Sequence, residues 1–64
     1  MAEYEKKVRD VLRKNGCYFI RYGKGDHEIW ESPISNQRFP VDNRINIRHI
    51  ANAIMKQSGI KHHF

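Results

Sequence analysis

The sequence predicts a small α+β domain in the order helix, three antiparallel strands, helix, and three observations predict it. Residues 3–15 and 46–59 each place apolar side chains at helical spacing. Between them lie three short runs rich in aromatic and β-branched residues, separated by turn-forming glycine, proline, serine and asparagine. The 64 residues leave room for one domain, residues 1–64, and no second.

Tyr4, Val8, Val11 and Leu12 form one face of the first helix. Glu3 and Glu5 at its start and Arg13 and Lys14 at its end complement the helix dipole, and Asn15-Gly16 supplies the stop. Cys17 to Tyr22 reads as the first strand, with Cys17 as a small core residue. Gly23-Lys24-Gly25 is a tight connection to the second strand, His27 to Ser32. Pro33-Ile34-Ser35-Asn36 is a turn, and Gln37 to Val41 is a third strand that Pro40 assigns to a sheet edge. Alternation alone sorts the strand faces either way, Phe19, Ile29 and Phe39 against Ile20, Trp30 and Arg38. Asp42 to Ile45 reads as a polar link, with Asn46 as the N-cap of the second helix. Ile47, Ile50, Ala51, Ile54 and Met55 form its apolar face, Gly59 ends it, and Ile60 supplies the contact that follows a glycine stop. Lys61-His62-His63-Phe64 reads as a loose tail.

A chain of this length buries only about 60% of the surface its unfolded form exposes, so the core is small. No apolar run approaches the ~20 residues of a membrane span. Residues 2–7 lack the apolar core of a secretory signal, and a lone Cys17 fits a reducing compartment; the expected location is cytoplasmic. Twelve Lys and Arg against seven Asp and Glu point to a polyanionic partner: RNA, DNA or an acidic protein surface.

Two helices with apolar stripes and one meander are satisfied when both helices cover the same face of the sheet. That order and layout are those of the double-stranded-RNA-binding domain, which reads RNA by shape and backbone contacts. Gly23-x-Gly25 lacks the third glycine and the following helix of a dinucleotide site, and no P-loop or nucleophile elbow is present. Cys17, His27, His49, His62 and His63 show no zinc spacing, so no metal is assigned. RNA carries its own nucleophile, the 2′-hydroxyl, so cleavage needs only proton transfer and charge stabilisation. His27 suits the first role; Arg21 and Lys24 near the same turn suit the second, and Arg48 and His49 beside Arg44 at the second helix start offer a further phosphate contact. The residues alone equally describe a solvated strand-end histidine among surface charges.

Gly23-Lys24-Gly25-Asp26-His27-Glu28-Ile29-Trp30, then Arg38-Phe39-x-Val41, then Arg48-His49-x-Ala51-Asn52-x-Ile54-Met55-Lys56-Gln57-x-Gly59, resemble the HicA family of bacterial type II toxin–antitoxin toxins. The resemblance runs from the first helix to Gly59. It implies a double-stranded-RNA-binding-like fold and an mRNA interferase, an endoribonuclease that needs no metal or other cofactor. It further implies a HicB-type antitoxin that covers the active face. The family's catalytic histidine carries over to His27 and its turn glycine to Gly25. Two positions depart from the family pattern: Asp26 replaces a small hydroxyl residue, and Glu28 stands where many members have a second histidine. Asp26 beside His27 suits either an orienting role or a weakening of RNA binding.

Two other functions fit the same residues. One is a non-catalytic RNA-binding module of this fold; the other is a degenerate toxin that only binds antitoxin. The first keeps salt-dependent RNA affinity without cleavage, and the second keeps neither.

Overall fold

A computed structural model describes residues 4–25 and 27–64. The expected order is observed: α1 (Glu5–Lys14), β1 (Tyr18–Tyr22), β2 (His27–Glu31), β3 (Arg38–Asp42) and α2 (Arg48–Ser58). The strands form one antiparallel sheet in the order β1-β2-β3, which leaves β3, with Pro40, at an edge.

The register settles the faces. Trp30 lies opposite Phe39 and Glu28 opposite Val41, so these four side chains share one face. Neither grouping allowed by simple alternation survives, because the hairpin pairs Trp30 with Phe39 and leaves Ile29 and Arg38 on the other side. On that first face Trp30, Phe39 and Val41 are buried with Val8 and Leu12 of α1 and Ala51, Ile54 and Met55 of α2. Cys17, Ile45 and Ile60 close the same cluster from the connections. The opposite face carries Tyr18, Arg21, His27, Arg38 and Pro40, all exposed, and no helix covers it.

β1 is bulged. Phe19 pairs with Trp30 and Arg21 with Ile29, so Ile20 is the extra residue. The insertion shifts the parity of the strand and brings Phe19 and Tyr22, three residues apart, to the helix side, where their rings meet edge-on at 5.1 Å. Both rings stay exposed.

Several boundaries differ from the sequence reading. Tyr4, not residue 3, precedes α1, and Glu3 lies outside the described residues. Asp42 belongs to β3 rather than to a link, because it pairs with His27. Asn46 is not the cap of α2. The cap is Ile47, in extended conformation and without a side-chain hydrogen bond; its carbonyl accepts the Ile50 and Ala51 N–H groups. Ile47 is therefore exposed rather than part of the apolar face.

The end of α2 follows expectation. Gly59 has φ +80°, the Ile60 N–H reaches the Met55 carbonyl at 3.0 Å, and Ile60 is buried. A Cβ on Gly59 would also come within 3.0 Å of Ile34, so both backbone and packing demand glycine there. Residues 61–64 are not a loose tail: the Phe64 N–H donates to Asn52 Oδ1 at 2.8 Å, and its ring packs edge-on against Tyr4.

Candidate active site at the end of the sheet

His27 is the first residue of β2, directly after the connection that the Gly23 N–H closes onto the His27 carbonyl at 2.9 Å. Gly25 in that connection has φ +64°, a backbone state that side chains with a Cβ resist. Across the hairpin His27 faces Asp42, and its Nδ1 lies 3.2 Å from Asp42 Oδ1. The imidazole is about half exposed, at 48% of its side-chain surface, so it is held on one edge and open on the other. Asp26, the residue that the sequence offered as a partner for His27, lies outside the described residues.

Arg9 of α1 holds this strand end in place from the helix side. Its Nε donates to Glu28 Oε1 at 3.2 Å, its Nη2 to the Asp42 carbonyl at 3.3 Å, and its Nη1 to the Glu5 carbonyl at 3.3 Å. One mostly buried guanidinium thus joins the first turn of α1 to both strands that carry the His27–Asp42 pair. Trp30 Nε1 donates to the same Glu28 oxygen at 2.8 Å. Partial burial pushes the Glu28 carboxyl up, but the hydrogen bonds from Trp30 and Arg9 and the charges of Arg9 and Arg13 outweigh it and hold the group below its ordinary range. Glu28 therefore points away from His27, into the helix side, and its charge is matched there.

The remaining predicted residues are distributed around this end. Lys24 is exposed in the connection, two residues past the end of β1. Arg21 is exposed and, opposite Ile29, sits on the His27 face; its Nη1 reaches the Tyr22 carbonyl at 3.4 Å. His49, in the first turn of α2, lines with Asp42, Pro40 and Ile50 a small cavity of about 180 Å³ between β3 and α2. Asp42 thus neighbours His27 on one side and shares this cavity with His49 on the other. Arg48 is exposed at the helix start, and among the described residues no hydrogen bond or ion pair joins it to His27.

No family model, curated protein or solved structure matches the chain.

Elsewhere on the open face the charges are used internally. Tyr18 donates its hydroxyl to Glu31 and Arg38 Nε donates to the other Glu31 oxygen at 3.0 Å. The bond from Tyr18, and then that from Arg38, hold the Glu31 carboxyl below its ordinary range. Trp30 is buried and offers no ring to a base. Phe19 and Tyr22 are exposed aromatics over a groove of about 450 Å³ on the face opposite His27. Among the described residues no three His, Cys, Asp or Glu side chains gather closely enough to hold a metal, and no helix is long and apolar enough to cross a membrane.

Asp42 and Arg9 are the two contributors that sequence reasoning missed. A signal for Asp42 existed: once Trp30 is paired with Phe39, counting outward along the hairpin places residue 42 opposite residue 27. Arg9 carried no such signal, because its partners lie 19 and 33 residues away.

Proposed function

We propose that this chain is a metal-independent endoribonuclease: the mRNA interferase toxin of a type II toxin–antitoxin pair, with a double-stranded-RNA-binding-domain-like fold. The observation that carries the proposal is the exposed His27 with Asp42 3.2 Å from its Nδ1. The resemblance of the His27 and Gly59 segments to HicA toxins supports the same reading.

RNA supplies the nucleophile. In this reading His27 Nε2 takes the proton of a 2′-hydroxyl as its oxygen bonds to the adjacent phosphorus. The bond from phosphorus to O5′ breaks, a 2′,3′-cyclic phosphate forms, and the leaving oxygen takes a proton from water. Asp42 stabilises the imidazolium that results. Arg21 and Lys24 lie where they can offset the charge gathering on the phosphorane oxygens, and Gly25 lets the backbone approach. His49 and Arg48 contact neighbouring phosphates. A HicB-like antitoxin covers this face in the resting cytoplasmic complex.

The test is cleavage of mixed cellular RNA in EDTA by the purified protein, freed of any antitoxin, beside His27→Ala. Wild-type cleavage with a loss of roughly 10²–10⁴-fold in the variant is the expected result, the range for removing a general acid or base. Equal cleavage by both proteins overturns the assignment. Salt-sensitive RNA binding without cleavage by either protein replaces it with a non-catalytic RNA-binding module.

A further inference from the structure

The charge of this protein is unevenly spread along the chain. Residues 1–42 carry eight Lys and Arg and all seven acidic residues, whereas residues 43–64 carry four Lys and Arg, three of the four histidines and no acid. The fold gathers part of this acid-free segment around one cavity. It measures about 690 Å³ and lies between α2 and residues 60–63, lined by His49, Asn52, Lys56, Lys61, His62 and His63 over a floor of Ala53 and Ile60. Its wall is anchored: Phe64 is bonded to Asn52 through its N–H, packs on Tyr4 and meets His62 edge-on at 4.6 Å.

Among the described residues half of the eight cations in the first region are paired with carboxylates: Arg9 with Glu28, Arg38 with Glu31, and Lys6 and Arg13 with Asp10. Lys56 and Lys61 have no carboxylate within ion-pair reach among the described residues. Two ammonium groups without a counter-charge, beside imidazoles that can donate hydrogen bonds, suit an anion with several acceptor oxygens. A phosphate group has that chemistry, and the volume holds more than one.

We infer that the cavity between α2 and residues 60–63 is a phosphate-binding site, with Lys56 and Lys61 supplying its positive charge and His49, His62 and His63 further hydrogen-bonding groups. Phosphate can arrive as part of a nucleic-acid backbone or as a free phosphorylated molecule. His49 and Ala53 also line the small cavity that contains Asp42, so the hollow adjoins the neighbourhood of the residue that faces His27. The backbone source rests on the ribonuclease reading above; the site itself does not.

The experiment is a titration of the full chain, followed by amide and imidazole NMR shifts, with pyrophosphate and with a short single-stranded RNA. It is run on His27→Ala, so that the RNA stays intact and binding is read independently of cleavage. Saturable shifts at Asn52, Lys61, His62 and His63 are expected. Lys56→Gln/Lys61→Gln should weaken binding about tenfold, in line with the loss of charge-assisted hydrogen bonds. Lys6→Gln/Lys7→Gln on α1, which removes the same charge elsewhere, should leave it unchanged. For RNA, the slope of log affinity against log salt should fall by about 0.7 for each phosphate that the double variant no longer neutralises. Competition between pyrophosphate and RNA assigns the site to a backbone phosphate; pyrophosphate binding that RNA does not displace assigns it to a free phosphorylated ligand. Absence of shifts at these residues with both probes, or equal weakening by the two double variants, overturns the inference.

Discussion

The two ends of the molecule treat charge in opposite ways. In the sheet and α1, acids and bases meet across strands and helix: Arg9 meets Glu28, His27 meets Asp42, and, at the far end of the same hairpin, Arg38 meets Glu31. Along α2 and residues 60–63, cations stand together, and no acidic residue occurs from residue 43 onward. Paired charges hold geometry, because each partner restricts the other. Clustered like charges cost stability and are useful when something of the opposite sign comes to them. The proposed function places proton transfer in the first region, and the proposed phosphate site lies in the second.

The sharpest break of this comparison comes from Asp42→Asn. If the carboxylate positions His27 and stabilises its charged form, RNA cleavage should fall by about 10- to 100-fold with RNA affinity unchanged. A single-turnover cleavage assay beside a binding isotherm reads both. An unaltered rate would make Asp42 a bystander of the hairpin register.

Next in size is Arg9→Met, which keeps the apolar stem and removes the guanidinium. It leaves Glu28 partly buried without its charge partner and frees the Asp42 carbonyl, at a cost of about 1–3 kcal/mol in urea unfolding. Acid supplies an internal check on that variant. The folded Glu28 carboxyl is held low, so its contribution is present above the unfolded value, about 4.3, and is lost as pH falls through the folded value. The gap in stability between wild type and Arg9→Met should therefore be widest near neutral pH and shrink below about pH 4. A gap that does not change with pH would mean the arginine acts through its backbone contacts alone.

Gly25→Ala should cost about 1 kcal/mol, since its φ of +64° resists a Cβ even though the space beyond is open. Thermal unfolding measures it, and a neutral result would show that the connection relaxes without moving His27. The smallest effect is expected where charges are clustered: Lys56→Gln/Lys61→Gln should leave stability within about 0.5 kcal/mol or raise it, as exposed substitutions usually do. A clear loss of stability there would show that the lysines hold the fold and would remove the contrast between the two ends.

Much of the fold was legible in the sequence because its signals are local. Val8 and Leu12, and Ala51, Ile54 and Met55, recur at helical spacing and are the residues that α1 and α2 bury. Gly16 and Gly59 stop the helices with the positive φ that only glycine adopts readily. His27 at the start of a strand after a glycine turn was equally readable, and so was the edge placement of Pro40. The cap of α2 was not: Asn46 is a good capping residue by type, yet the chain enters the helix one residue later and its side chain makes no cap.

What tertiary structure alone decided has a common cause, namely contacts between residues far apart in the chain. The sequence by itself determined the order of the elements, their stops, and a histidine at the mouth of a hairpin, since each depends on neighbours within a few residues. Only the folded sheet could make Asp42 the partner of His27 across 15 positions and turn Glu28 away to Arg9. Only the bulge at Ile20 could place Phe19 and Tyr22 on one face, because a single inserted residue reverses every later side chain on the strand. And only the return of Phe64 to Asn52 and Tyr4 could convert a basic run into the wall of a cavity, because no local periodicity records where a terminal segment finds apolar surface to cover.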